Sequence, residues 1–270
     1  MTMPIDLVLV RHGESEGNLA KDRAKKGDIE GFTKDFRDRH SSQFRLTTKG
    51  VTQAKKAGAW LRRNGLGNFD RYYASEYVRA RETAGHLALE GARWYSDILL
   101  RERDYGLFDA MPYAERAEKY PDYVKHKDRD GLTWAPPGGE SIADAMLRVG
   151  RLLDVLHREC SAMRVIVVCH GETMWAMRLR LERMTWERFE ELDRSDDPHD
   201  RIHNCQIIQY TRRTPGSDEA PGTRYDWMRS VCPTDLALSS NDWTRIVRPV
   251  YTNEELLALA EAKPRLVDND

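Results

Sequence analysis

The residue types that can do chemistry are concentrated in two tetrads, Arg11-His12-Gly13-Glu14 and His170-Gly171-Glu172-Thr173. The arginine guanidinium offers a planar fork of donors that fits phosphate oxygens. An unprotonated imidazole next to it can act as a base or as a nucleophile. Because the same His-Gly-Glu order occurs twice, we interpret the histidines as parts of one site rather than as two separate structural residues.

Each tetrad directly follows a short apolar run that predicts a buried strand. The runs cover residues 5–10 and 165–169, and both are rich in β-branched side chains. Parallel strands that lie side by side end at the same edge of a sheet, where open α/β sheets bind their ligands. The pattern therefore predicts that the two imidazoles meet at that edge.

Further motifs follow in a fixed order along the chain. They are Arg11-His12-Gly13-Glu14-Ser15 with Asn18; Leu46-Thr47 with Gly50 and Gln53-Ala54; Ser75 with Arg79-Ala80 and Glu82-Thr83-Ala84; Leu100-Arg101-Glu102-Arg103-Asp104-Tyr105-Gly106; Gly138-Gly139-Glu140-Ser141; and His170-Gly171. Together they resemble the histidine phosphatase superfamily, which includes the cofactor-dependent phosphoglycerate mutases. The resemblance extends from about Ile5 to about Thr211.

The resemblance implies a set of phosphate ligands. A phosphomonoester carries nearly two negative charges at neutral pH, so its site needs cations. Arg11 and Arg79 would be bidentate donors, and Asn18 would be a neutral one. His170 would donate to the equatorial oxygens as charge spreads over them. Because these cations supply the positive charge, no metal and no cofactor is expected.

The resemblance also implies the two groups that move protons and phosphorus. His12 would attack phosphorus and form a phosphohistidine, with its other ring nitrogen held by a backbone carbonyl. Glu102 would protonate the leaving oxygen and then deprotonate the attacking water. Alternatives remain, since Arg79 on a predicted helix could be an ordinary solvated arginine. Likewise, Glu102 between Arg101 and Arg103 could form a surface ion pair.

A possible metal site is the pair His199 and His203, whose spacing is that of two ligands on one helical face. The preceding Asp196-Asp197-Pro198 favours a turn, however, and no third ligand with useful spacing follows. We therefore interpret this segment as a loop and predict no metal site.

The alternation of predicted strands and helices indicates an α/β fold, a three-layer sandwich with a central, mostly parallel sheet flanked by helices. A chain of 270 residues fits one domain with insertions. The aromatic segment at about 107–137 is interpreted as a cap over the site, and about 212–270 as a C-terminal extension. The charged segment 19–44 is either a solvated helix and loop or part of the pocket rim.

Charge and cysteine content limit the class of partner and the compartment. The net charge of −1 implies no general attraction to nucleic acid or to anionic membranes. We see no apolar run that could span a bilayer and no room for a signal peptide before residue 5. The cysteines form no metal-type pairs, which favours a reduced, cytoplasmic setting. The expected partner is a small phosphorylated substrate, and the oligomeric state stays open.

The resemblance leaves three functions to compare. The first is a phosphatase that hydrolyses small phosphomonoesters through a phosphohistidine, and the second is a phosphoglycerate mutase. The resembled mutases hold a substrate carboxylate with a lysine and an arginine pair after the acid segment. Leu107-Phe108-Asp109-Ala110 lacks that lysine, and no adjacent Arg-Arg follows before Gly138. We therefore favour the phosphatase. The third function, a phospholigand-binding protein without catalysis, is disfavoured by the complete set of candidate residues.

Overall fold

The central sheet has seven strands in the part of the chain that the structure, a computed structural model, describes, residues 1–267. The spatial order is β3-β2-β4-β1-β5-β6-β7. The first four strands in this order are parallel, and β5, β6 and β7 are antiparallel to their neighbours. The strands are β1 (Asp6–Arg11), β2 (Arg71–Ser75), β3 (Trp94–Asp97), β4 (Arg164–Cys169), β5 (Ile207–Thr211), β6 (Trp227–Val231) and β7 (Ser240–Arg245).

Helices cover both faces of this sheet. Within residues 1–267 the α-helices are α1 (Glu16–Ala24), α2 (Lys34–Asp38), α3 (Thr48–Arg63), α4 (Val78–His86), α5 (Tyr113–Lys119), α6 (Pro121–Asp130), α7 (Ile142–Glu159), α8 (Gly171–Glu182), α9 (Trp186–Arg194) and α10 (Asn253–Glu261). Successive side chains of a strand point to opposite faces. Leu7 and Leu9 therefore pack in one apolar cluster with α7 and α8, whereas Val8 and Val10 pack in another with α3 and α4. The predicted three-layer α/β class is confirmed.

Strands β1 and β4 are direct neighbours, as the two apolar runs predicted. Arg11 lies opposite Cys169 in the parallel register, and the backbone N–H of His12 donates to the carbonyl of Cys169 (3.0 Å). Both strands are fully buried along their apolar stretches. The two histidines therefore leave the sheet side by side, at the carboxyl ends of its central strands.

The segment 107–137 leaves and re-enters the core at one point. The backbone N–H of Leu107 donates to the carbonyl of Pro137 (3.0 Å), so the two ends of the segment meet. Gly106 has a φ of +47°, and a Cβ there would lie 2.2 Å from that same carbonyl oxygen. Only glycine fits this position without moving the backbone. The segment contains α5 and α6, and its Phe108, Ala110, Leu132 and Trp134 are buried.

The charged segment that follows α1 packs against the core through its aromatic residues. Phe32 and Phe44 are buried, and Phe36 stacks on Phe44 with ring centres 4.3 Å apart. The backbone N–H of Ser41 donates to the carboxylate of Asp109 (3.1 Å). This segment therefore contacts segment 107–137 rather than extending into solvent.

The chain after Thr211 adds two strands to the antiparallel side of the sheet. Strand β6 pairs with β5, and β7 pairs with β6. Helix α10 starts with a capping box of Thr252 and Glu255 and buries none of its side chains. Among residues 1–267, no helix combines the length and apolar character needed to cross a membrane.

Candidate active site

The His12 side chain is held so that one ring nitrogen is unprotonated. Its Nδ1 lies 2.7 Å from the carbonyl oxygen of Gly13, an acceptor, so Nδ1 carries the proton. Its Nε2 accepts a hydrogen bond from Nε of Arg79 (3.2 Å). Burial, and next the charges of Arg79 and Arg11, lower the pKa of His12 well below its ordinary value. The imidazole is therefore neutral at neutral pH, with a lone pair on Nε2.

The loop after His12 is pressed against the start of α3. A Cβ on Gly13 would lie 2.4 Å from the carbonyl oxygen of Gly50, and a Cβ on Gly50 would lie 2.0 Å from that of Glu14. The hydroxyl of Thr83 accepts from the N–H of Gly13 (3.1 Å) and donates to the carbonyl of Arg79 (2.7 Å). Thr83 thus links the His12 loop to the helix that holds Arg79.

Arg79 is buried on α4 and is not a solvated surface arginine. Besides its bond to His12, its Nη1 donates to the carbonyl of Ser41 (2.6 Å). Its guanidinium carbon lies 4.9 Å from the ring centre of Tyr77. Only 6% of the residue is exposed. The alternative interpretation of Arg79 is therefore wrong, because its charge lies beside the imidazole.

Arg11 supplies a second guanidinium at the same place. Its Nη1 donates to the carbonyl of Ile202 (2.5 Å), while its buried Nε has no hydrogen-bond partner among the described residues. Burial lowers the pKa of Arg11 from its ordinary value. A buried donor without an acceptor is costly, so an anion in the adjoining cavity would stabilise this side chain.

The second histidine lies against the first. The ring centres of His12 and His170 are 5.1 Å apart, and Nε2 of His170 lies 2.8 Å from the hydroxyl of Ser75. That hydroxyl accepts the N–H of Tyr77 (3.3 Å), which leaves its proton free to donate to His170. His170 would then carry its own proton on Nδ1, which is buried and has no partner among residues 1–267. Burial, and next the charge of Arg79, lower the pKa of His170 well below its ordinary value.

Glu102 lies close to both histidines. One oxygen of Glu102 and one ring nitrogen of each histidine lie within 4.8 Å of one another. Its Oε1 accepts from the N–H of Arg103 (3.0 Å) and from the N–H of Thr173 (3.3 Å). Burial, and next the charge of Glu172, raise the pKa of Glu102 from its ordinary value. A surface ion pair is excluded, because the carboxyl faces the cavity.

Asn18 has two functions in the local structure. Its Oδ1 accepts from the N–H of Ser15 (3.2 Å) and from Nδ2 of Asn204 (3.2 Å), so it completes the capping box of α1. Its side chain also lines the cavity. Asn204 in addition donates to the carbonyl of His12 (3.0 Å). The sequence analysis missed Asn204, since an isolated asparagine in a loop gives no motif signal.

Arg103 also lines the cavity. The sequence analysis did not identify it as a site residue. It donates to the carboxylate of Glu172 (2.9 Å) and to the carbonyls of Trp134 (2.9 Å) and Glu140 (2.6 Å). The hydroxyl of Tyr105 donates to Glu172 as well (2.5 Å). Glu172 thus binds these two side chains. Nothing in the local pattern distinguishes Arg103 from its neighbour Arg101.

These groups open into one cavity of about 970 Å³. Its lining combines the His12 loop, helix α1, the segment 107–137 and the loop that contains Ile202 and Asn204. Such a volume accommodates a phosphate together with a substrate body of moderate size.

The donor set favours an anion over a metal ion. Within residues 1–267, His12, Glu102 and His170 are the one group with metal-ligand geometry. Arg79 donates to one of these ligands, and Arg11 lies next to them, so a cation would be repelled. His199 and His203 bind elsewhere: His199 contacts the Asp197 carboxylate (2.7 Å), and His203 contacts the carbonyl of Pro198 (2.8 Å).

The fold and the site define an α/β protein in which two histidines and two arginines meet in one buried candidate site. Residues 7–200 match the histidine phosphatase superfamily (branch 1). The chain is 35% identical over 187 residues to a 2,3-bisphosphoglycerate-dependent phosphoglycerate mutase from Azorhizobium caulinodans, covering 67% of this chain and 83% of that protein. The chain therefore belongs to the histidine phosphatase superfamily.

Solved structures show the same fold at lower identity. A mycobacterial protein described as hydrolase 2 has a TM-score of 0.60 at 22% identity, covering 97% of this chain and 98% of its own. A mycobacterial glucosyl-3-phosphoglycerate phosphatase has a TM-score of 0.59 at 23% identity, covering 82% and 97%. An α-ribazole-5'-P phosphatase from Escherichia coli, described as putative, has a TM-score of 0.61 at 20% identity, covering 78% and 92%.

Proposed function

We propose that this protein is a cytoplasmic phosphatase that hydrolyses small phosphomonoesters through a phosphohistidine on His12. One observation carries the proposal: the lone pair of a neutral, buried imidazole is flanked by two guanidinium groups and a carboxyl group with a raised pKa. That combination places a nucleophile, an anion site and a proton donor together, which is what phosphoryl transfer requires.

The proposed reaction has two steps. In the first, Nε2 of His12 bonds to phosphorus and the bond to the leaving oxygen breaks, while Glu102 gives its proton to that oxygen. Arg11, Arg79 and His170 donate to the equatorial oxygens, and Asn18 adds a neutral donor. In the second step, Glu102 takes a proton from water, the water oxygen bonds to phosphorus, and the bond to His12 breaks. Phosphate leaves, and Glu102 is protonated again.

A second candidate is a phosphoglycerate mutase, which the name of the Azorhizobium caulinodans relative favours. A mutase passes the phosphoryl group from histidine to another substrate instead of to water. The segment after Gly106 favours the phosphatase, because Leu107-Phe108-Asp109-Ala110 lacks a cation there. Phosphoenzyme formed from a phosphomonoester with a labelled phosphoryl group distinguishes the two candidates: the phosphatase loses its label to water at the same rate with and without 3-phosphoglycerate. Transfer of the label to 3-phosphoglycerate identifies the mutase.

The first prediction concerns the nucleophile. We expect His12→Ala to abolish phosphohistidine formation and to lower turnover of a phosphomonoester by at least about 100-fold, while the far-ultraviolet circular dichroism stays unchanged. The measurement is acid-labile phosphate on the protein by mass spectrometry, together with steady-state turnover.

His157→Ala is the matched control, because that histidine is exposed on α7. It should keep both the phosphoenzyme and the rate. A folded His12→Ala protein with normal turnover contradicts the mechanism. An unmodified wild-type protein that binds phosphomonoesters without turnover would instead indicate the third function, a binding protein.

A further inference from the structure

Helix α10 has an apolar face that nothing in its own chain covers. None of its residues is buried. Its exposed leucines are Leu256 (52%), Leu257 (62%) and Leu259 (53%). At α-helical spacing these three side chains form one broad stripe. A helix of nine residues is marginal in water without tertiary contacts, so a partner that covers the stripe would stabilise it.

An open groove lies beside the start of this helix. It has a volume of about 490 Å³ and is formed by the end of α8, by α9, by strands β6 and β7 and by the chain that follows β7. Its apolar lining residues are Met184, Leu192, Met228, Ile246, Val247 and Pro249. Val247 on its outer edge is 82% exposed. The groove therefore offers apolar surface that a second stripe of apolar side chains could cover.

The groove and the helix carry opposite charges. The charged lining residues of the groove are Arg178, Arg188, Arg245 and Glu182. Glu182 binds Arg178 (2.9 Å), and Arg188 binds Glu191 (2.6 Å). The exposed Arg245 makes no hydrogen bond and no salt bridge through its side chain among residues 1–267. Helix α10 has three glutamates and no basic residue, so it complements this groove and would be repelled by an anionic membrane.

The helix does not lie in the groove of its own chain. Tyr251 still lines the groove, and the next residue, Thr252, is already the N-cap of α10. The N–H of Thr252 donates to the carboxylate of Glu255 (2.7 Å), and the N–H of Glu255 donates to the hydroxyl of Thr252 (3.2 Å). This capping box holds Thr252 extended, with φ −74° and ψ 171°. Because a reversal of direction takes at least about two loop residues, the helix leads away from this groove.

We propose that α10 binds in this groove of a second copy of the chain, while the helix of the second copy binds in the groove of the first. Such an exchange of identical elements makes two equal contacts about a two-fold axis. The leucine stripe would pack on the apolar lining, with the glutamates beside the arginines of the rim. The groove shares no lining residue with the cavity of the candidate active site, so the proposal does not depend on the proposed reaction.

The association is expected to be weak and reversible. Ordering a short helix costs free energy when it binds, and salt screens the exposed charges of the rim. We therefore expect a dissociation constant of about 10–100 µM. Below that concentration the monomer keeps its fold, because α10 contributes no buried residue to its core.

Sedimentation velocity of the full chain over a range of concentrations tests the association. A monomer–dimer equilibrium is expected at low salt, and a rise to about 0.5 M salt should weaken it by at least about threefold. Deletion of residues 252–270, or the double substitution Leu256→Gln and Leu259→Gln, should weaken it by at least about 10-fold, since apolar burial is lost. Leu147→Gln is the matched control, because that leucine on α7 is 70% exposed, and it should associate like the wild type.

A substitution in the groove distinguishes this contact from other ways of pairing. Val247→Glu places a negative charge among the apolar lining residues and leaves α10 unchanged, so it should also weaken the dimer by at least about 10-fold. Leu147→Glu, which adds the same charge elsewhere, should have no effect. A chain that stays monomeric at every concentration would overturn the proposal. So would a dimer that survives deletion of α10, which would indicate pairing through β7, or one that survives Val247→Glu, which would indicate that two α10 helices pack on each other.

Discussion

Two groups with opposite requirements lie next to each other in the candidate site. In the proposed mechanism, His12 must be unprotonated to attack phosphorus, whereas Glu102 must be protonated to assist the leaving oxygen. The surroundings shift the two pKa values in the required directions. Burial and the nearby guanidinium groups lower the pKa of His12, and burial and Glu172 raise the pKa of Glu102. The same protein interior thus favours the reactive form of both groups.

A pH profile and a change of leaving group test this arrangement. The reactive form of His12 is lost as pH falls through its lowered pKa, so the acid limb should lie below 6.5. The acid form of Glu102 is lost as pH rises through its raised pKa, which sets the basic limb. Glu102→Gln should remove the basic limb and slow phosphohistidine formation from an alkyl phosphate by about 100-fold or more.

An activated aryl phosphate provides the internal control for Glu102→Gln. Its leaving group is a weak base and needs little protonation, so p-nitrophenyl phosphate should lose far less in single-turnover experiments. Equal losses for both substrates would show that Glu102 is not the general acid. Asp104 or Asp109 would then be the next candidate.

The residues that the sequence could predict are those set by local patterns. His12 and His170 follow apolar runs directly, so their meeting follows from parallel strand pairing. Arg103 and Asn204 could not be predicted in this way. Arg103 is selected by contacts with Trp134, Glu140 and Glu172, and these depend on how distant segments pack.

At the scale of elements, helices α3 and α4 approach closely because of one glycine. A Cβ on Gly58 would lie 2.0 Å from the carbonyl oxygen of Leu87, just after α4. The same carbonyl accepts a hydrogen bond from Nη1 of Arg62 (2.7 Å). Since α4 holds Arg79, the position of one proposed phosphate donor depends on this contact.

We therefore expect Gly58→Ala to lower the free energy of unfolding by about 1–3 kcal/mol, because backbone must move to admit the methyl group. Gly85→Ala is the matched control on α4, where a Cβ would meet nothing within 4 Å. It should raise the free energy of unfolding by about 0.5–1 kcal/mol, as alanine is the better helix former. Urea denaturation measures both. A Gly58→Ala protein as stable as the wild type would contradict the close approach of Gly58 to the carbonyl of Leu87.

The strands that the sequence predicted poorly are those at the two edges of the sheet. Helix α7, Ile142–Glu159, has an apolar stripe that is visible in its sequence, because one of its faces is buried along its whole length. Strands β3 and β7 gave no such signal, because they lie at the two edges of the sheet. The side chains of β3 are at least partly exposed, so its sequence shows no buried run. Propensity and periodicity are weak where packing covers one side of a strand at most.

At the scale of the whole molecule, the chain after residue 211 consists of parts with different burial. Strand β7 pairs with β6, and Ile246 just after it is buried. Arg248 donates to the carbonyls of Leu181 (2.9 Å) and Tyr225 (2.6 Å). Helix α10, in contrast, buries no side chain. Stability should therefore depend on the chain up to about residue 250.

Two truncations test this division. Deletion of residues 252–270 should change the melting temperature by no more than about 2 °C, since exposed groups contribute little. Deletion of residues 240–270 should lower it by several times as much, because β6 then becomes an unpaired edge. Differential scanning calorimetry measures both. Equal losses would mean that α10 contributes as much as β7.

The strand order has a consequence for synthesis of the protein. Strand β4 lies between β2 and β1, although it is made after both of them. On the ribosome, the two earlier strands have no common partner until residues 164–169 emerge, which at usual elongation rates is roughly ten to thirty seconds after His12. The nascent chain therefore carries the proposed nucleophile, His12, without His170 for most of translation. We expect catalytic activity to appear late and abruptly, when strand β4 pairs with both β2 and β1.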